Sequence, residues 1–196
     1  MSSASSEMFH RCVPNTSLYF NDAEIQRRPY PVLAKNILLG EGPGFKIAQG
    51  RLGPGRLHHC MRLIGVAEHN TQLMVQRALQ RRAFGKRIVD QGSILSDMAK
   101  CRVELESTRL LVLEAADQLD RLGNKMARGT IAMAKVMAPN MALKVMAMQV
   151  RGTAELSSDT VLAHLYATSR KLRIVDGLNE VHLGTIVKLE LRKAKL

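Results

Sequence analysis

The sequence predicts a mainly α fold, an up-and-down bundle of four to five helices with a small N-terminal β or irregular remnant. Three observations carry that expectation. Long runs of Leu, Ala, Met, Lys, Arg and Glu favour helix, because unbranched side chains lose little rotamer freedom there. Apolar residues recur at helical spacing over three successive stretches. Eleven methionines stand against no tryptophan and 4% aromatics, and the hydrophobic (46%) and charged (23%) shares suit a chain that buries a core.

Taken in order, residues 1–29 mix Ser, Asn, Pro and charge without a period and read as a poorly ordered segment. Residues 30–52 read as the remnant of a β unit and a linker. Tyr30-Pro31-Val32-Leu33 to Leu39 suits one or two short strands, followed by the turn-rich Gly40-Glu41-Gly42-Pro43-Gly44. After a second expected turn at Gly53-Pro54-Gly55, a helical bundle domain occupies 53–196. Its long helices are expected over 57–79, 94–119 and 131–150, and its shorter ones over 158–171 and 178–193. Phe84-Gly85, Gly123-Asn124 and Gly152 are the stops. Short loops imply antiparallel neighbours. Asp159 and Asp176 fall where helix N-termini favour carboxylates.

Lysine and arginine total 29 against 17 acids, a formal charge of +12. Such an excess implies an anionic partner: nucleic acid, a membrane surface or a phosphorylated small molecule. Cys12, Cys60 and Cys101 lie far apart without zinc spacing, so no metal is expected and a reducing compartment fits. Adjacent His58, His59 and Cys60 point to different helix faces and read as packing residues. Met133, Met137 and Met141 read as a core stripe. His164 and His182 read as packed or surface residues, although His182 follows Asp176 closely enough to line a pocket. No apolar run reaches membrane-span length, and the first residues lack a secretory plan, which reads as a soluble intracellular protein.

Two segments carry chemistry. In Arg81-Arg82-Ala83-Phe84-Gly85-Lys86, a guanidinium and a ring three residues apart can present together to a pyrophosphate and an aromatic surface. A basic helix terminus would look the same. In Arg173-Ile174-Val175-Asp176-Gly177-Leu178-Asn179-Glu180, a carboxylate precedes a helix and reads either as its cap or as a base.

In consistent order over roughly residues 30–193 these segments join Asn36-Ile37-Leu38-Leu39-Gly40-Glu41-Gly42, Gly53-Pro54-Gly55-Arg56-Leu57-His58-His59-Cys60-Met61-Arg62 and Gly65-Val66-Ala67-Glu68. Together they resemble the C-terminal half of the acyl-CoA dehydrogenases, most like the family member 10/11 type. That resemblance implies a flavin-dependent α,β-dehydrogenation of acyl-CoA thioesters, as in fatty acid β-oxidation. It makes Asp176 the base and Arg56 a substrate-binding residue. It places Arg81, Phe84, Gln149, Gly152 and Gly177 at FAD, the first two across a subunit interface. It implies an oligomer, of this chain alone or with full-length relatives, and an unspecified electron acceptor.

Thr153 and Glu155 stand where the family has glycines; a β-branched residue hinders close backbone approach and a carboxylate repels phosphate. The N-terminal domains that cover the flavin in the family have no counterpart among these residues. A catalytically silent oligomerisation module is therefore the alternative, and a basic module for nucleic acid or anionic membrane the third reading. Ala194-Lys195-Leu196 resembles a peroxisomal address, with the mitochondrion next on family grounds.

Overall fold

The computed structural model describes residues 38–40, 42–146, 150, 152, 157 and 160–194. The expected disordered start, most of the expected strands, Gln149, Thr153, Glu155, Asp159, Lys195 and Leu196 lie outside the described residues. The chain divides into two units, residues 1–49 and 50–196. In the first, Leu39 and Gly40 turn with positive φ (58° and 79°). A helix then opens with a bond from the Ile47 N–H to the Pro43 carbonyl (3.1 Å).

Helix α1 spans Gly44–Gln80. It runs unbroken through Gly53-Pro54-Gly55, where a turn was expected. Packing overrides propensity here: Gly53 is buried, and a Cβ on it would fall 2.1 Å from Oδ1 of Asn124. The glycine is a notch for the first residue of a neighbouring helix. Four residues before Pro54 stands Gly50, so the carbonyl left without a donor by the proline belongs to a residue with no side chain to crowd the ring.

After α1 comes a hairpin the sequence reading did not foresee. Strands β1 (Arg82–Ala83) and β2 (Lys86–Arg87) pair antiparallel, Arg82 opposite Arg87 and Ala83 opposite Lys86. Phe84 and Gly85 form the two-residue turn with φ of 53° and 77°, the paired positive angles of a type I′ turn, whose twist matches the strands. A 3-10 turn, Ile88–Asp90, leads into α2, Gly92–Leu122. Gly123 (φ 77°) ends α2 with its N–H on the Leu119 carbonyl (3.0 Å), and α3, Asn124–Met146, starts at the next residue. Helices α4 (Leu162–Lys171) and α5 (Asn179–Lys193) follow. Among the described residues, five α-helices and one small hairpin confirm the expected mainly α bundle.

Helix α3 packs against α2, α4 and α5. Its buried positions Ala127, Ile131, Ala134, Ala138, Met141 and Val145 alternate steps of four and three, the spacing of one helix face. The alanines let neighbouring backbones come close. The expected methionine stripe is corrected by this pattern: Met141 is buried, but Met133 and Met137 are 39% and 42% exposed. Steps of four drift around a helix of 3.6 residues per turn, so a strict four-residue repeat leaves the buried face. Leu63, Met74, Leu105 and Val112 complete the centre of the core, each contributing about 1.5–3 kcal/mol on burial.

Charge ties α1 to α2. Glu68 accepts two bonds from Arg102 (2.9 Å each) and one from Arg109 (2.7 Å). These guanidiniums, Arg102 first, hold the Glu68 carboxyl below the usual carboxylate range. Among the described residues no helix is long and apolar enough to cross a membrane, and no cluster of three or more His, Cys, Asp or Glu could hold a metal.

Candidate active site

Arg56, His59 and Cys60 stand at i, i+3 and i+4 on α1 and so share one face. Opposite them lies the turn of residues 172–177 between α4 and α5. Asp176 takes φ 60° and Gly177 φ 111°. Short polar Asp tolerates the left-handed region. A Cβ at Gly177 would also sit 3.0 Å from Nε2 of His182, so any larger residue would have to push that ring aside.

Arg56 Nε donates to the main-chain carbonyl of Asp176 (2.9 Å). His59 Nε2 lies 3.1 Å from Asp176 Oδ2, and the Asp176 side chain is 15% exposed. Leu178 is the N-cap of α5 and no side chain caps that end. The capping reading of Asp176 is thereby overturned: its carboxylate meets α1 instead.

Lys135 of α3 is fully buried, and its Nζ donates to the carbonyl of Leu172 (2.5 Å), the first residue of the turn. His182, within the first turns of α5, is also buried. Among the described residues its Nε2 and the Nδ1 of His59 have no hydrogen-bond partner.

Burial lowers the pKa of every basic group here. For Arg56, Asp176 opposes that effect. For His59, burial outweighs the attraction of Asp176, and the positive charges of Lys135, Arg62 and His58 add to it. For Lys135, burial outweighs Cys60 and Asp176, with Arg56 adding to it. Burial, then Arg56 and Lys135, bring His182 down to about 4. Both imidazoles are therefore neutral near pH 7. Burial pushes the Cys60 thiol up to about 12, which leaves it a packing group. The arrangement is one carboxylate, largely shielded from water, whose backbone is held by Arg56 and whose Oδ2 lies beside the His59 imidazole. Such a group suits proton abstraction from a carbon acid.

The profile of the acyl-CoA dehydrogenase C-terminal domain matches residues 42–190. The chain belongs to the acyl-CoA dehydrogenase family. It is 68% identical over 188 residues to an Arabidopsis thaliana protein named a probable acyl-CoA dehydrogenase, IBR3, covering 92% of this chain and 23% of that one. It is 53% identical to acyl-CoA dehydrogenase family member 10 of Mus musculus (86% of this chain, 16% of the relative). With family member 11 of Rattus norvegicus it shares 51% identity (82% and 21%). The chain thus spans less than a quarter of the length of these relatives. Butyryl-CoA dehydrogenase from Megasphaera elsdenii is similar in structure, with a TM-score of 0.75 at 31% identity over 82% of this chain and 42% of that one. A glutaryl-coenzyme A dehydrogenase in complex with glutaryl-CoA gives 0.73 at 30% identity (80% and 40%).

Of the residues singled out in the sequence, the fold brings together Arg56, Asp176 and Gly177. Arg81 and Phe84 sit at the hairpin, where the Arg81 carbonyl accepts from the Ile88 N–H (2.9 Å) and Phe84 is 99% exposed. Gly152 is exposed with φ 67°, and Gln149 is outside the described residues. Two residues of the cluster were missed. His59 was set aside as packing, although its three-residue offset from Arg56 was the available signal. Lys135 was overlooked in Ala132-Met133-Ala134-Lys135-Val136-Met137, where a lone cation interrupts an apolar face.

Proposed function

We propose that this chain supplies the base and part of the flavin contact of an acyl-CoA dehydrogenase, which introduces a double bond between the α and β carbons of an acyl-CoA thioester. Asp176 takes the α-proton. The observation that supports this most is the position of its carboxylate, 15% exposed and directed at α1 rather than capping α5. Shielding from water keeps such a group from being satisfied by solvent and lets it work on carbon. Arg56 fixes the backbone beneath it and lies close enough to the site to meet the polar part of a substrate.

Arg81 and Phe84 fit an FAD held partly by a second subunit. Their hairpin presents a ring that is 99% exposed beside a guanidinium, available to a surface outside this chain. Gln149, Gly152 and Gly177 complete the proposed contacts. Bound FAD would accept the hydride that leaves the β carbon.

A second reading, a silent oligomerisation module, is favoured by Thr153 and Glu155 at the family's glycine positions. One measurement separates them. The purified chain is reconstituted with FAD, its visible spectrum is recorded, and an acyl-CoA thioester is added without oxygen. A flavin band that bleaches supports the enzyme; a colourless protein that still associates with full-length relatives supports the module.

A further inference from the structure

Resting on the reading of Asp176 as the base, we propose that His59 is its positioning residue, an imidazole on α1 whose Nε2–H orients the Asp176 carboxylate. Residue 176 is held by α1 at two points. Arg56 takes its main-chain carbonyl at 2.9 Å, which fixes the backbone and leaves χ1 free. His59 Nε2 stands 3.1 Å from Oδ2. Among the described residues no other side chain makes an ion-pair contact with this carboxylate.

The tautomer follows from burial. Nδ1 of His59 is buried and has no partner among the described residues. An N–H orphaned there would lose a full hydrogen bond with water, whereas an empty acceptor loses less. The proton therefore resides on Nε2, facing Asp176. Burial, together with Lys135, Arg62 and His58, opposes a second proton more than Asp176 favours it.

A neutral donor is suited to this task. A cation placed against the carboxylate would stabilise its charge and weaken it as a base. Here the cations bind backbone instead: Arg56 the carbonyl of Asp176, Lys135 that of Leu172. Both cations feel the Asp176 charge, but the hydrogen bonds they donate go to backbone, and the imidazole is the ion-pair contact of the carboxylate itself. No such role belongs to His182, whose ring lies against Gly177.

The test uses the full chain with His59→Phe, which keeps a ring and removes the donor, and His59→Gln, which returns an N–H. Without cofactor, 15N NMR at pH 7 is expected to show His59 as the Nε2–H tautomer. A denaturation cycle of His59→Phe with Asp176→Ala is expected to be non-additive in its midpoints. On the FAD-reconstituted chain, deuterium exchange at the α carbon of butyryl-CoA is expected to slow about 100-fold in His59→Phe. KM should stay nearly unchanged, and His59→Gln should recover most of the rate. An Nδ1–H tautomer, an imidazolium, or an additive cycle overturns the proposal. So does wild-type exchange in His59→Phe while Asp176→Asn is inactive. Wild-type exchange in Asp176→Asn overturns the base assignment itself, and the NMR and the cycle then decide the His59 contact independently.

Discussion

The guanidinium of Arg56 crosses 120 residues of sequence to take the main-chain carbonyl of Asp176 at 2.9 Å. The backbone of the proposed base is therefore set by α1, and its side chain can change without loosening the turn. Asp176→Asn is expected to melt within about 1 kcal/mol of the parent, because the Arg56 bond is to backbone and an amide oxygen still faces His59. The same substitution should abolish thioester-dependent bleaching of the reconstituted flavin. Bleaching at the parental rate would require another base.

Arg81 and Phe84 make the opposite prediction. Both are exposed, so Arg81→Ala and Phe84→Ala should leave the melting curve within about 0.5 kcal/mol of the parent. Flavin retention should suffer instead. Removal of a charge-assisted pair to the pyrophosphate costs about 1.5–3 kcal/mol, roughly 10- to 150-fold in Kd, by titration of the apo chain with FAD. Unchanged affinity in Arg81→Ala would remove this residue from the cofactor site.

Buried His182 makes stability depend on pH. Burial, then Arg56 and Lys135, hold its folded pKa at about 4, below the ordinary histidine value of 6.5. As pH falls below 6.5 the unfolded chain takes up a proton that the native chain refuses, so stability present above 6.5 is lost progressively toward pH 4. The loss is at most about 3.4 kcal/mol, at roughly 1.36 kcal/mol for each pH step of one between the two values. Chemical denaturation at pH 7, 5.5 and 4.5 should show it, and His182→Gln should flatten the slope. Glu68, whose carboxyl is held low, adds a loss of the same sign at more acid pH, and the variant isolates the imidazole from it.

Gly53 is a packing glycine. Because its added Cβ would lie 2.1 Å from Asn124 Oδ1 and 2.5 Å from its Cγ, Gly53→Ala must displace the Asn124 side chain that opens α3. Its better helix propensity is expected to be outweighed, with a net loss of about 1–3 kcal/mol by thermal or chemical melting. A stabilised variant would show that Asn124 moves aside freely.

Much of this was legible from residue order. Apolar periodicity marked the helices because each buries one stripe, as Ala127 to Val145 does on α3. Asp176 stood out through the resemblance carried by Arg173 to Glu180, since a carboxylate at a helix start reads equally well as a cap. What stayed hidden depends on contacts between distant segments. Gly53-Pro54-Gly55 reads locally as a turn, and only the neighbouring Asn124 explains the glycine. Phe84-Gly85 reads as a helix stop, and only the pairing of Ala83 with Lys86 makes it a hairpin. His59 looked like packing because its partner arrives from the other end of the chain, and Lys135 had no local partner to reveal it. The methionine spacing misled because four residues overshoot a helical turn.

The hairpin tip carries its own consequence. Phe84 holds φ 53° and is 99% exposed, so a bulky ring occupies a backbone conformation natural to glycine and is left almost wholly uncovered. Alone, the molecule would be better off with Phe84→Gly, by about 1 kcal/mol. A ring maintained in that posture gains nothing until another surface closes over it, so this corner of the protein is fitted for company rather than for solitude.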